Sequence, residues 1–131
     1  MLPLYTNLNR KLAGTVKYPA SDFERQLFCY AIDAALKSEQ RFRVGAVAVD
    51  GAGLLKSGSN NYLQHAEKVL ISGRTHQMSL DGMTVAVARL GKKNDWRCSY
   101  PCDDCHRALK NAGVKRVVCI DEYHALVSVN L

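Results

Sequence analysis

The sequence lacks the features of a membrane protein or a secreted protein. It contains no stretch of about eighteen consecutive apolar residues, which excludes an ordinary membrane-spanning helix. The N-terminus has no charged segment followed by an apolar run, so it does not resemble a secretory signal peptide. The five cysteines are an odd number, which argues against a complete disulfide framework. These absences predict a cytoplasmic protein with no membrane partner.

Internal repeats, low-complexity segments and linkers are also lacking. The chain has 131 residues, 47% of them hydrophobic, which is enough apolar material for one core. We therefore expect a single domain over 1–131, in which 1–20 form a lead-in segment with a short helix near Tyr5–Ala13. The formal net charge of +6 favours anionic partners, such as nucleotides or nucleic acid, without choosing between them.

Two short motifs carry the chemistry that the sequence predicts. The segment His65–Glu67 supplies one imidazole and the carboxylate of Glu67. The segment Pro101–Cys105 supplies two thiols, with two aspartates between them. One histidine and two cysteines suit a catalytic Zn²⁺, which keeps its fourth position open for water. Glu67 then remains available as the catalytic general acid and base. The predicted zinc ligands are His65, Cys102 and Cys105.

Both motifs are expected at the start of a helix. Cys102 and Cys105 are three residues apart and would share one helical face, with Pro101 in the first helical position. Because a helix N-terminus favours thiolate over thiol, the pair should be primed for metal. His65 and Glu67 would diverge on a regular helix. We therefore expect His65 to precede the first helical turn.

The pairing of H-x-E with P-C-x-x-C is the signature of zinc-dependent nucleobase deaminases, and the chain resembles the cytidine deaminase-like superfamily. Phe42–Ala46 is similar to the F-x-V-G-A segment of free cytidine deaminases, and Gly58–Asn60 to the G-x-N that precedes the metal motif. The resemblance implies that Asn60 contacts the sugar. It also implies that the Ala66 amide and the backbone before Pro101 position the base.

Further residues near the motifs are candidates for substrate binding. Trp96 and its basic neighbours would stack a base and hold phosphate, or Trp96 is half-buried packing. The predicted substrate-binding residues are Asn60, Ala66, Phe42, Tyr100 and Trp96. Basic side chains would favour phosphate on the substrate if they reach the mouth of the site, and these are Arg41, Arg43, Lys92, Lys93 and Arg97.

The hydrophobic pattern gives the fold. Alternation over Ala125–Leu131 is typical of a half-buried strand. Only Asp121–His124 separates it from the strand before it, too short a connection for a parallel crossover. With the resemblance, which covers about 22–121, this predicts a cytidine deaminase-like α/β three-layer sandwich. Its sheet is mixed and five-stranded, with helices on both faces and the fifth strand antiparallel to the fourth. The predicted helices are 22–38, 65–72 and 101–112, and the predicted strands are 44–49, 54–57, 83–90, 117–120 and 125–131, with a turn at 50–53 and a loop at 74–82.

The resemblances favour different substrates. Free cytidine deaminases usually have Cys at the position of His65, whereas deoxycytidylate, transfer-RNA and polynucleotide deaminases have His. Ser99–Cys102 is also similar to the S-x-S-P-C of polynucleotide deaminases. We expect deamination of cytosine to uracil and ammonia in a nucleoside or nucleotide, with single-stranded DNA or RNA as the alternative substrate. Small members of this fold commonly complete their sites across subunits, which implies a homo-oligomer.

Cys98 leaves one further interpretation open. With Cys98 as a fourth ligand beside His65 and the cysteine pair, the site would be closed and structural. The protein would then be a non-catalytic zinc module that binds nucleic acid, and Glu67 would have no purpose.

Overall fold

One seven-stranded sheet organises the residues that this computed structural model describes, which are 16–49, 55–61, 64–72 and 80–131. None of the described helices is long and apolar enough to cross a membrane. The predicted helix near Tyr5–Ala13, the turn at 50–53 and most of the loop at 74–82 lie outside the described residues. In order, the elements are β1 (Lys17–Pro19), α1 (Asp22–Leu36), β2 (Arg43–Val49), β3 (Leu55–Ser59), α2 (Ala66–Ser72), β4 (Thr84–Leu90), β5 (Trp96–Arg97), α3 (Asp103–Asn111), β6 (Arg116–Ile120) and β7 (Leu126–Asn130).

The sheet is mixed, as the sequence predicts. Its strand order is β1-β7-β6-β4-β2-β3, with β5 attached to β4. The β4–β6 pair is parallel, whereas β2 runs antiparallel to both β3 and β4. The tail strand β7 returns antiparallel to β6, with Val117 opposite Val129. The hairpin predicted from the short connection after β6 is therefore confirmed.

The prediction of five strands is wrong, because β1 and β5 add two to the sheet. Tyr18 of β1 lies opposite Ser128 of β7, and Trp96 of β5 lies opposite Leu90 of β4. Each added strand is only two or three residues long. No alternating pattern can be recognised over so few residues. The backbone of β1 and β5 is extended because each pairs with a longer strand, β7 and β4 respectively.

Helices cover both faces of the sheet, which confirms the three layers. On one face, α1 packs its Leu27 and Phe28 against Val47 and Ala86. On the other face, α2 and α3 pack Leu70 and Leu109 into a second core. Alternation along β4 divides its side chains between the two faces, and this decides which of them reach the site. Val85 and Val87 belong to the α2 and α3 face, whereas Ala86 and Ala88 belong to the α1 face.

The start of α1 is fixed by a reciprocal cap. Ser21 Oγ accepts from the Glu24 N–H at 3.2 Å, and the Glu24 carboxylate accepts from the Ser21 N–H at 2.9 Å. The same carboxylate accepts from the Ser128 hydroxyl at 2.9 Å, which ties the helix to β7. The helix ends at Leu36 instead of 38. Ser38 has already turned away, and its hydroxyl donates to Asn60 O.

Gly45 lets α1 cross directly over β2. A Cβ at Gly45 would overlap Ala31 O and Ala35 N of the helix. We expect Gly45→Ala to lower the free energy of unfolding by about 1–3 kcal/mol or more, because backbone atoms cannot yield as a flexible side chain does. Chemical denaturation measures the loss. Lys56→Ala on the edge strand β3 is the control, with an expected change within about 0.5 kcal/mol. Equal stability of Gly45→Ala and the parent protein would contradict the close packing.

Candidate metal centre and pocket

The two motifs meet because α2 and α3 begin side by side on one face of the sheet. His65 lies directly before α2, and His65 O accepts from the Val69 N–H at 3.0 Å. It therefore caps the helix, as expected from its spacing to Glu67. The Ala66 side chain is fully buried in the core under α2, which fixes the height of this helix start above the sheet.

Helix α3 begins two residues later than predicted. Cys102 is its N-cap, with an extended backbone (φ −64°, ψ 169°), and Cys102 O accepts from the His106 N–H at 2.7 Å. Pro101 consequently precedes the cap and does not occupy the first helical position. Its fixed φ suits an extended residue as well as a helical one, so proline alone does not mark the first turn. Cys102 and Cys105 approach the site from the cap and the first turn, not along one helical face.

The three predicted ligands converge. His65 Nδ1 lies 3.7 Å from Cys102 Sγ and 3.4 Å from Cys105 Sγ. All three ligand atoms lie within 4.8 Å of one another. A tetrahedral ion with Zn–S near 2.3 Å and Zn–N near 2.05 Å requires an N···S separation of about 3.6 Å. The observed distances bracket that value, so the residues are positioned to hold a zinc ion with one position left open.

Cys98 is not part of this group. Among the described residues, the only potential metal-binding cluster is formed by the three ligands above. Cys98 instead lies on the wall of the adjoining pocket, and burial raises the pKa of its thiol. The geometry therefore gives no support to a closed, four-ligand structural site.

The expectation that the helix terminus favours thiolates fails at Cys105. This residue is fully buried, and burial raises the pKa of its thiol, with the nearby Glu67 carboxylate acting in the same direction. Desolvation of the charged form outweighs the partial positive charge of one helix end. A metal ion must therefore displace a proton from Cys105 when it binds.

Glu67 stands next to the ligand group without belonging to it. Its side chain is 5% exposed and lines the pocket beside His65. Burial raises the pKa of this carboxyl group, while a hydrogen bond from its own backbone N–H, the neighbouring His65 and a hydrogen bond from Cys105 oppose the rise without cancelling it. A raised pKa makes a carboxyl group better able to take up a proton than an ordinary exposed carboxylate. The role of Glu67 as general acid and base stays a prediction from the sequence.

A pocket of about 300 Å³ opens from the ligand group to the surface. Phe42, Asn60 and Tyr100, three of the predicted substrate-binding residues, line it together with His65, Glu67 and Cys102. Ala66 contributes no lining side chain, since that side chain is buried in the core.

Asn60 is held by the backbone of the neighbouring strand. Its Oδ1 accepts from the Val44 N–H at 2.9 Å, and its Nδ2 donates to Phe42 O at 2.8 Å. The amide thus continues the β2–β3 pairing beyond the end of β3 and fixes Phe42 at the pocket rim. One N–H of Nδ2 can serve the backbone while the other points elsewhere.

Trp96 is not brought to the pocket. Its register opposite Leu90 places it on the α1 face of the sheet, away from the metal ligands. The ring packs edge-on against Phe28, with 5.2 Å between ring centroids. The sequence left open whether Trp96 stacks a base or packs against the protein. In the structure Trp96 packs against the protein.

The sequence did not single out Arg89, nor did it indicate the structural roles of Ser99 and His106. Arg89 lines the pocket because it shares a face of β4 with Val87. That position follows from the alternation of the strand, which could have revealed it. Ser99 and His106 depend on tertiary contacts and carry no such signal.

Ser99 and His106 hold the segment that leads into α3. The Ser99 hydroxyl donates to Val87 O at 2.7 Å and accepts from the Ile120 N–H at 2.9 Å. It therefore bridges β4 and β6 directly beneath the pocket. The Tyr100 hydroxyl lies 2.8 Å from His106 Nδ1, and burial raises the pKa of Tyr100 to about 12, so the phenol is neutral.

Residues 21–121 match the family model described as the cytidine and deoxycytidylate deaminase zinc-binding region. The match begins at the cap of α1 and ends just after β6, so it includes both motifs. No curated protein matches the chain.

Solved structures share the fold at low sequence identity. A cytidine deaminase from Burkholderia pseudomallei is 20% identical, with a TM-score of 0.65 over 81% of this chain and 91% of that chain. A cytidine deaminase from Mycobacterium leprae is 21% identical, with a TM-score of 0.59 over 84% and 94%. A cytidine deaminase from Mycobacterium tuberculosis is 23% identical, with a TM-score of 0.55 over 75% and 85%.

Proposed function

The chain belongs to the family of cytidine and deoxycytidylate deaminases with a zinc-binding region, and we propose that it hydrolyses cytosine in a nucleoside or nucleotide to uracil and ammonia. This is the family that the two sequence motifs indicate. One observation carries the proposal: the buried carboxyl of Glu67 adjoins a three-ligand His/Cys/Cys group in the same pocket, and it is not itself a ligand.

His65, Cys102 and Cys105 would hold Zn²⁺, which supplies the Lewis acidity that makes water acidic near neutral pH. Glu67 takes a proton from the attacking water as the oxygen of that water forms a bond to C4 of the base. Glu67 then passes the proton to N3. It then carries the second proton of the water to the amine, the C4–N bond breaks, and ammonia leaves. The carbonyl of uracil remains at C4, and Glu67 returns to its starting state.

The other lining residues position the substrate in this proposal. The neutral Tyr100 and the aromatic ring of Phe42 border the space for the base, and Phe42 is 42% exposed at the rim. The remaining N–H of Asn60 Nδ2 is assigned to a sugar hydroxyl, because its other contacts fix the amide beside the rim. A cytoplasmic location and a homo-oligomer stay predictions from the sequence.

Turnover of a substrate panel tests the proposal. The zinc-loaded protein is assayed for ammonia and for uracil products with cytidine, deoxycytidine, their monophosphates and a cytosine-containing oligonucleotide. We expect turnover of at least one nucleoside or monophosphate. Turnover of the oligonucleotide alone would contradict the proposed substrate class, and turnover of none of them would contradict the deaminase activity on cytosine.

Single-stranded nucleic acid remains the second candidate substrate, favoured by the exposed guanidinium groups of Arg41 and Arg89 beside the pocket. A strand would lay several phosphates across such a surface and release several counterions. Its binding should therefore weaken steeply with salt, whereas a single nucleotide should respond weakly. The salt dependence of KM for the oligonucleotide and the monophosphate separates the two cases.

A further inference from the structure

We propose that Arg89 binds a phosphate group on the sugar of the substrate, so that the preferred substrate is a cytosine nucleotide and not a nucleoside. This inference rests on the proposed function, since it assigns a substrate class to the same pocket. It starts from the position of Arg89 on β4. Arg89 lies opposite Val44 of β2 and Arg97 of β5, and both Arg89 and Val44 line the pocket.

Charge separates the two ends of the pocket. Among the described residues that line it, Glu67 is the only carboxylate and Arg89 is the only Lys or Arg. Glu67 is buried beside the ligand group, whereas Arg89 is exposed. A base that reaches Glu67 leaves its sugar, and any phosphate, directed toward solvent. The exposed end of the pocket is where Arg89 offers a positive charge.

Arg89 has no anionic partner within the described part of the chain. No ion pair is formed by Arg89 there, whereas Arg97, its neighbour across the β4–β5 pair, is paired with Asp95. The other described ion pairs involve Lys17, Lys68 and Arg116. A guanidinium without a counter-charge at the edge of a pocket can receive a phosphate without first breaking an ion pair. Its planar fork matches two phosphate oxygens.

Phe42 orients this guanidinium. The guanidinium carbon of Arg89 lies 5.7 Å from the centroid of the Phe42 ring, and that of Arg41 lies at the same distance. Cation–π contacts of this kind restrict where the charged groups sit without neutralising them. The Phe42 backbone is itself fixed by Asn60. Arg41 and Arg89 form no ion pair within the part of the chain that the structure describes, and they place two positive charges around one ring at the pocket rim. This arrangement is complementary to an anion of more than one negative charge.

The test compares nucleotide with nucleoside in matched variants. For the zinc-loaded parent, Arg89→Gln and Arg89→Lys, kcat/KM is measured with cytidine and with its 5′- and 3′-monophosphates, and likewise for the deoxy series. Arg25→Gln is the control, because it removes the same charge from the exposed side of α1 on the opposite face of the sheet. The quantity of interest is the ratio of kcat/KM for monophosphate over nucleoside, which cancels any general loss of activity.

We expect the parent to prefer one monophosphate by at least about 10-fold. In Arg89→Gln the ratio should fall by about 10- to 100-fold, as for the loss of one charge-assisted hydrogen-bonded contact. Arg89→Lys should recover part of the ratio, and Arg25→Gln should leave it unchanged. An equal ratio in the parent and Arg89→Gln would overturn the inference, while turnover of cytidine would still uphold the deaminase. Turnover of the oligonucleotide alone would also overturn it.

A binding measurement keeps the inference testable if no cytosine compound is turned over. Thermal unfolding of the zinc-loaded protein is followed with uridine, with its 5′- and 3′-monophosphates and with inorganic phosphate alone. We expect a monophosphate to raise Tm in the parent and in Arg25→Gln, and to do so less in Arg89→Gln. The absence of any difference between uridine and its monophosphates would overturn the phosphate site independently of the reaction.

Discussion

Glu67→Gln is expected to lower kcat for cytosine deamination by about 10²- to 10⁴-fold, the usual contribution of one positioned general acid and base. Glutamine has the shape of glutamate but cannot accept the proton of water. Because Glu67 is not a member of the ligand group, the variant should keep about one zinc per chain, a count set by the single three-ligand cluster of the described residues. Ammonia release, elemental analysis and circular dichroism give the three readouts.

Asp103→Asn is the matched control for this prediction. It makes the same carboxylate-to-amide change in the first turn of α3, on an exposed side chain that does not line the pocket. The control should retain activity. Undiminished turnover by Glu67→Gln would show that another group moves the proton, and a loss of zinc from it would show that Glu67 acts through the metal centre.

Cys102→Ser and His65→Ala are expected to lose bound zinc, with an affinity reduced by more than about 100-fold. Loss of a group that merely orients a ligand typically costs about 10- to 100-fold, and removal of a ligand itself must exceed that. The cluster of the described residues has only these three donors, so it contains no further side chain to replace a lost ligand. Zinc content after dialysis and competition with a chelator measure the effect.

In the same experiment, the Cys98→Ser variant distinguishes an open catalytic site of three ligands from a closed structural site of four. Cys98 lies on the pocket wall but outside the ligand cluster, so its serine variant should keep zinc. If Cys98→Ser released the ion as readily as Cys102→Ser does, the centre would be a closed site of four ligands. The zinc ion would then have no open coordination position for the water that the deaminase reaction requires.

Local chemistry made much of the metal centre predictable. The spacing of His65 and Glu67 required a cap before the helix, and the structure has it. The short connection after β6 required a hairpin, and β7 forms it. In each case the constraint acts between residues that are close in sequence, where backbone geometry alone leaves few solutions.

Features that depend on distant partners were not predictable in the same way. The two shortest strands, β1 and β5, are extended only because β7 and β4 lie beside them. The thiol of Cys105 is governed by the core that buries it and not by the helix end that the sequence reveals. Trp96 lies close to the metal cysteines in sequence but belongs to the opposite face of the sheet, because its register with Leu90 decides its direction.

The separation of the metal ligands along the chain sets the order in which the centre can mature. Cys102 and Cys105 are near neighbours, but Cys102 lies 37 residues beyond His65, with β4 between the two motifs. During synthesis the histidine emerges before both cysteines, so the three-ligand set is complete only after β4 and the second motif have been made. Bringing the two motifs together also closes a loop that contains β4. Any ion bound before that point has at most one of the three ligands, and the full centre depends on residues from both halves of the chain.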